Sequence, residues 1–287
     1  MGTESVTPAA GTTCVCTPDL VLAPEENQWL ALNKANWQIV GQAKVYADRG
    51  LAHVAIAPEH QRQGFATQIR QAFPRATVVG KVALTQAAVG WLNHLGWEEK
   101  TGALPAATDP DLRLCQRERA ARWTQALNIP SHYSQTRKLP LVTEPRQLQC
   151  LGTDTQGRAI YLTPKASQAW KDLRNAAADD GVTLHPVSGF RSIGYQGNLV
   201  RAKLAAGISM DDVLSVSAAP GYSEHHSGQA LDLSTPGSTP LEQSFAKTPA
   251  FDWLTRNAKR WKFTMSYPEN NLHKLAFEPW HWCFHSD

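Results

Sequence analysis

The feature that most constrains this chain is the stretch Ser223-Glu-His-His-Ser-Gly-Gln-Ala-Leu-Asp232, completed further on by Phe277-Glu-Pro-Trp-His-Trp282. It offers His225, Asp232 and His281 as two imidazoles and a carboxylate, with Glu278 beside the last. A zinc ion in a hydrolytic site takes three ligands of this kind and leaves its fourth position to water. Gly228 breaks the chain after the histidines, and Gln229 to Leu233 then alternates as a short buried strand does. On such a strand Asp232 shares a face with Ala230, and a lone carboxylate in a core strand is costly unless it is paired or bound to metal. Glu278 and His281 are three apart, which on a regular strand would set them on opposite faces. Pro279 between them predicts a bend that brings both to one site. Taken singly each residue has a plainer reading: Asp232 could cap the turn that follows it, and Glu278 could be a rim charge. Their conjunction carries the metal reading.

The pattern S-x-H-x-x-G-x-A-x-D followed by E-P-W-H resembles the signature of the VanY-type zinc carboxypeptidases of peptidase family M15, relatives of the VanX dipeptidase that act on bacterial cell-wall peptides. Val187 to Ser192, with Gln196 beyond it, is similar to the family's S-G-Y-R-S-x-x-x-Q segment. Pro220 to His225 is similar to its P-G-x-S-E-H approach. The likeness runs over roughly residues 140 to 285. It implies an α+β peptidase domain with a small central antiparallel sheet, zinc on His225, Asp232 and His281, Glu278 as general base then acid, and Arg191 facing the developing oxyanion. Gln196 and Ser223 are its candidates for holding the substrate's terminal D-residue. His226 stands where the family commonly has Gln, a second imidazole that leaves the ligand choice within the pair open.

With 287 residues and 42% apolar composition, the chain is long enough for two domains with a core each. A net charge of +3 is too mild to argue for nucleic acid or a membrane surface. No apolar run approaches the ~20 residues of a membrane span, and the first residues lack the pattern of a secretory signal. Five cysteines without a C-x-x-C spacing fit a reducing compartment better than a disulfide framework, so a cytoplasmic location is expected.

Three parts are expected: a front domain over 12–118, a connecting helix and linker over 119–150, and the peptidase domain over 151–287. The pattern in front predicts a helix over 24–35, strands over 38–47 and 51–57, a helix over 63–73, a strand over 77–84 and a helix over 85–95, an α/β order. At one strand-to-helix junction lies Gln61, Arg62, Gln63, Gly64, Phe65 and Ala66, a turn whose free N–H groups open a helix and can hold a phosphate. This Q-x-x-G-x-A resembles the pyrophosphate loop of the GNAT N-acetyltransferases, which implies a short GNAT-like α/β domain with acetyl-CoA as its ligand. A working acetyltransferase, an acetyl-CoA sensor and a structural remnant are three readings of it, because a fold does not fix a function. Behind the linker, helices are predicted from Pro164, from Ile193 to Ala206 and from Pro249, with a strand over 182–188.

The function these readings imply is removal of the terminal D-Ala from peptidoglycan stem peptides. L,D-carboxypeptidase action on the tetrapeptide is preferred, because inside the cell a vigorous D,D-activity would destroy the pentapeptide precursors of the wall. The alternatives are a D,D-carboxypeptidase on D-Ala-D-Ala ends, and a non-catalytic acetyl-CoA-binding regulator with a vestigial zinc site.

Overall fold

A computed structural model describes residues 11, 13–17, 19–25, 28–35, 39–46, 50–56, 63–72, 112–154 and 158–286. Strands β1 (Thr13–Cys16), β2 (Leu20–Glu25), β3 (Gln28–Asn33), β4 (Ile39–Tyr46), β5 (Gly50–Ile56), β6 (Gln147–Thr153) and β7 (Ala159–Leu162) form one sheet in the order β5-β4-β3-β2-β1-β6-β7, with every pair antiparallel. The helix expected over 24–35 is therefore a strand pair instead, with Glu25 opposite Gln28 and Leu22 opposite Ala31. The physical reason is burial on both faces. Leu20, Leu22 and Ala31 pack under Phe65 and Ile69 of α1 (Phe65–Ala72), while Val21 and Leu32 pack with Cys14, Tyr161 and Phe190 on the other side. A short continuous apolar run buried in this way carries no period that separates strand from helix. The strands expected at 38–47 and 51–57 and the helix expected at 63–73 are present as β4, β5 and α1. The elements expected over 77–84 and 85–95 lie outside the described residues.

The expected boundary at 150/151 falls inside β6, which pairs with β1 on one side and β7 on the other. Between the two halves of this sheet run α2 (Leu112–Ala126), the short α3 (Tyr133–Arg137) and an extended stretch in which Leu139 and Glu144 are buried.

The second sheet comprises β8 (His185–Ser188), β9 (Ala230–Ser234), β10 (Phe263–Met265) and β11 (His281–Phe284) in the order β10-β11-β9-β8, again antiparallel. α4 (Pro164–Asp179) starts on Thr163, whose hydroxyl accepts from the Ala166 N–H, and packs Ala166, Trp170, Leu173 and Ala177 into the core behind this sheet. α7 (Pro249–Asn257) starts in the same way on Thr248 and adds Trp253 and Leu254. α5 (Ile193–Ala205) is capped by Ser192, and α6 (Met210–Val216) follows it. With α2 and α3 these form a second apolar cluster around Val200, Val213, Leu214 and Tyr133. Gly189 is required where the loop after β8 crosses β7. A Cβ there would lie 2.5 Å from the Tyr161 carbonyl oxygen, and the same oxygen accepts from the Phe190 N–H at 2.7 Å.

Candidate metal centre

Asp232 sits at the middle of the second sheet, with His281 as its partner in β11 and Ser188 as its partner in β8. His225 comes from a single 3₁₀ turn, Glu224–Ser227, which ends on Gly228 at φ 65°, a conformation that favours glycine. All three residues are buried, and their donor atoms lie within 4.8 Å of one another. His225 Nε2 is 3.2 Å from Asp232 Oδ2, and His281 Nδ1 is 3.0 Å from Asp232 Oδ1. Two ligands on a tetrahedral zinc stand about 3.3 Å apart, given bonds near 2.0–2.1 Å. The donor set and its spacing fit the ion.

The remaining ring nitrogens are occupied in a way that orients the donors. His225 Nδ1 lies 2.7 Å from the Gly189 carbonyl oxygen and His281 Nε2 lies 2.9 Å from Glu224 Oε2, leaving His225 Nε2 and His281 Nδ1 on the inner side. Metal-ligating histidines are typically held by a carboxylate or carbonyl on the far nitrogen. Glu224 is the residue that sequence reasoning left without a role, although it lies inside the Ser223–Asp232 motif. The charges of the cluster act on one another. Burial opposes ionisation of Asp232, but the His225 and His281 imidazoles outweigh it and hold the carboxyl well below the usual range. Burial also opposes a charged His281, yet hydrogen bonds to Asp232 and Glu224 raise it to about 10. Glu224 is held at about 2 against its burial by the same contact with His281.

His226 does not join the cluster. Its Nε2 accepts the Gly221 N–H at 3.0 Å, so its proton is on Nδ1, which donates to the Arg191 carbonyl at 2.6 Å. Burial, the largest influence, pushes it down to about 4, and the neutral ring ties two loops together. The bend expected at Pro279 is a turn in which the His281 N–H donates to the Glu278 carbonyl at 3.1 Å. It places Glu278 Oε2 4.0 Å from His281 Nδ1. Burial first, with the Asp232 charge adding, pushes Glu278 up to about 7.

Arg191 leaves the loop after β8 and approaches Asp232 Oδ2 at 3.7 Å. Its guanidinium donates to Gln196 Oε1 at 2.9 Å and to Ser188 Oγ at 3.3 Å. Gln196 is buried, and its Nε2 donates to the Ala218 carbonyl at 2.6 Å, so both ends of that amide are engaged within the protein. Ser223 is buried at the start of the 3₁₀ turn, where its carbonyl accepts from the His226 N–H. Of the phosphate-loop residues, Gln61 and Arg62 lie outside the described residues. Gln63 and Gly64 are exposed, Phe65 is buried under the first sheet, and Ala66 belongs to α1.

Two imidazoles and a carboxylate around one point, a carboxylic acid poised near neutrality and an arginine aimed at the same spot make up the constellation of a metal-dependent hydrolase. Residues 159–287 match the family model described as VanY, D-alanyl-D-alanine carboxypeptidase. Among curated proteins the chain is similar to YodJ of Bacillus subtilis (strain 168), a carboxypeptidase by name, with 32% identity over 124 residues that cover 42% of this chain and 45% of that one. It is similar to a D-alanyl-D-alanine carboxypeptidase of Enterococcus faecium, with 30% identity over 42% of this chain and 37% of the relative. The match thus spans less than half the length of these relatives. Solved structures with partial likeness include an LdcB LD-carboxypeptidase (TM-score 0.41, 31% identity, 43% of this chain and 59% of that one). Another is a VanY D,D-pentapeptidase variant in complex with Zn(II) (TM-score 0.39, 26% identity, 48% of this chain and 78% of that one).

Proposed function

We propose that the chain is a zinc-dependent carboxypeptidase that removes the terminal D-Ala from peptidoglycan stem peptides. The observation that carries this reading is the buried His225–Asp232–His281 cluster with Glu278 beside it. His225 Nε2, Asp232 and His281 Nδ1 would hold a zinc ion, which would supply Lewis acidity and lower the pKa of a water there toward neutrality. Glu278, with a pKa near 7, accepts the proton of the attacking water and delivers it to the amine of the leaving D-alanine. Arg191, held by Gln196 and Ser188, donates to the scissile carbonyl oxygen as charge develops on it.

The preferred substrate in this proposal is the tetrapeptide, cut as an L,D-carboxypeptidase in the cytoplasm. Support for the compartment comes from the five cysteines without a C-x-x-C spacing, of which Cys14, Cys16 and Cys283 are buried thiols. The substrate follows from it, since a tetrapeptide trimmer spares the pentapeptide precursors. The test is to incubate zinc-loaded protein with murein tri-, tetra- and pentapeptides, read the products by mass, and compare kcat/KM. Tetrapeptide converted to tripeptide in preference to pentapeptide supports the reading, and a clear preference for pentapeptide replaces it with the D,D-reading. The front segment around Gly64 and α1 is proposed as a short GNAT-like element that holds acetyl-CoA, supported by its Q-x-x-G-x-A pattern at a helix start. Thermal stabilisation by millimolar acetyl-CoA tests this, and flat melting curves reject it.

A further inference from the structure

A carboxypeptidase must recognise a free carboxylate one residue beyond the bond it cuts; in the proposed reaction Arg191 serves the scissile carbonyl, and the Gln196 amide is engaged at both ends within the protein. α5 supplies another candidate. Gln196 and Lys203 are seven positions apart on this helix, two turns, and so share a face. Both reach the same segment after α6: Gln196 Nε2 donates to the Ala218 carbonyl at 2.6 Å, and Lys203 Nζ donates to the Ser217 hydroxyl at 2.7 Å. Because Gln196 also holds Arg191, the Lys203 ammonium belongs to the wall that carries the arginine.

Its charge environment is unusual. Lys203 is half-buried and forms no ion pair among the described residues. Burial, and then the positive Arg191, push its pKa down, while Glu278 pulls the other way. An ammonium that is partly desolvated, close to a second cation and bonded among the described residues to one hydroxyl has donors to spare and a deficit of negative charge around it. Consecutive residues of an extended peptide are about 3.3–3.6 Å apart, so a scissile carbonyl at Arg191 sets the terminal carboxylate on neighbouring ground.

We propose that Lys203 anchors the terminal carboxylate of the leaving D-amino acid by a charge-assisted hydrogen bond, and so makes this site select free chain ends. The inference rests on the carboxypeptidase reading and adds to it the residue that distinguishes an acid terminus from a blocked one. The experiment compares zinc-loaded wild type, Lys203→Met and Lys203→Arg on a stem tetrapeptide with a free C-terminus and on the same peptide amidated. Lys203→Met is expected to lower kcat/KM on the free acid about 10- to 100-fold, the range for a hydrogen bond between charged groups. The loss should appear mainly in KM, with the amide little affected, so that acid-over-amide selectivity falls by the same factor. Lys203→Arg should restore most of it, and zinc content and melting temperature should not change. Wild-type selectivity in Lys203→Met overturns the anchor while leaving the enzyme reading intact. A wild type that cleaves neither peptide overturns both.

Discussion

Replacing Lys34 by Met tests how the front sheet is tied to the loop that carries Arg191. Lys34 follows β3, and its Nζ lies 2.6 Å from Glu144 Oε2, with the two side chains 2% and 0% exposed. The other Glu144 oxygen accepts from the Ile193 N–H at 2.7 Å, at the start of α5, where an anion is favoured. The Lys34 carbonyl accepts from the Ser192 hydroxyl at 2.6 Å, and the Glu144 backbone is bonded to the Gln116 amide on both sides. Met keeps the stem of the side chain and removes its charge, leaving a buried carboxylate with its cation gone. Breaking one side of such a pair costs about 3–5 kcal/mol, out of a total that is commonly about 5–15. Burial opposes ionisation of Glu144, but Lys34, Arg119 and the hydrogen bonds outweigh it and hold its pKa low. A carboxyl with a lowered folded pKa adds stability above its unfolded pKa and loses it as pH falls through the folded value. In Lys34→Met the largest attraction is gone, and Arg119 and the Ile193 N–H alone oppose the burial, so the defect should be largest at pH 7.5 and shrink toward pH 5 as the carboxyl takes up a proton. Urea unfolding followed by tryptophan fluorescence measures it. Lys34→Met/Glu144→Gln, which removes both charges, should recover most of the loss. A single variant within about 1 kcal/mol of wild type at pH 7.5, or a double variant no better than the single, would refute the reasoning.

Glu278→Gln should keep zinc and lower kcat by about 10²- to 10⁴-fold, the usual contribution of a general base; wild-type turnover would remove Glu278 from the reaction. Glu224→Gln should weaken zinc binding about 10- to 100-fold in a chelator competition, through the loss of the carboxylate behind His281; unchanged affinity would make that contact incidental. Zinc binding at pH 7 should release protons, since His281 near 10 must become neutral and Glu278 near 7 meets a new positive charge. A pH-indicator titration that finds no release would show that His281 is neutral beforehand.

The residues of the buried His225–Asp232–His281 cluster and the elements that bear them were legible in the chain because their signals are local. Asp232 in an alternating run, Gly228 after the histidines, and Thr-Pro pairs opening α4 and α7 each follow from the conformations that a few neighbouring residues prefer. Residues 24–35 were not, because the short apolar run Trp29 to Leu32 within them suits helix and strand alike until partners appear on both faces. Only the folded chain separates His225 from its neighbour. Adjacent residues on a tight turn point different ways, and the Gly221 N–H and the Arg191 carbonyl, both contributed by other segments, engage the two nitrogens of His226. The same holds for Glu224 behind His281, Gln196 behind Arg191 and Lys34 against Glu144. Each side chain is placed by a partner distant in sequence, and burial makes that pairing compulsory, since an unpaired charge or amide in the interior costs more than the fold can absorb.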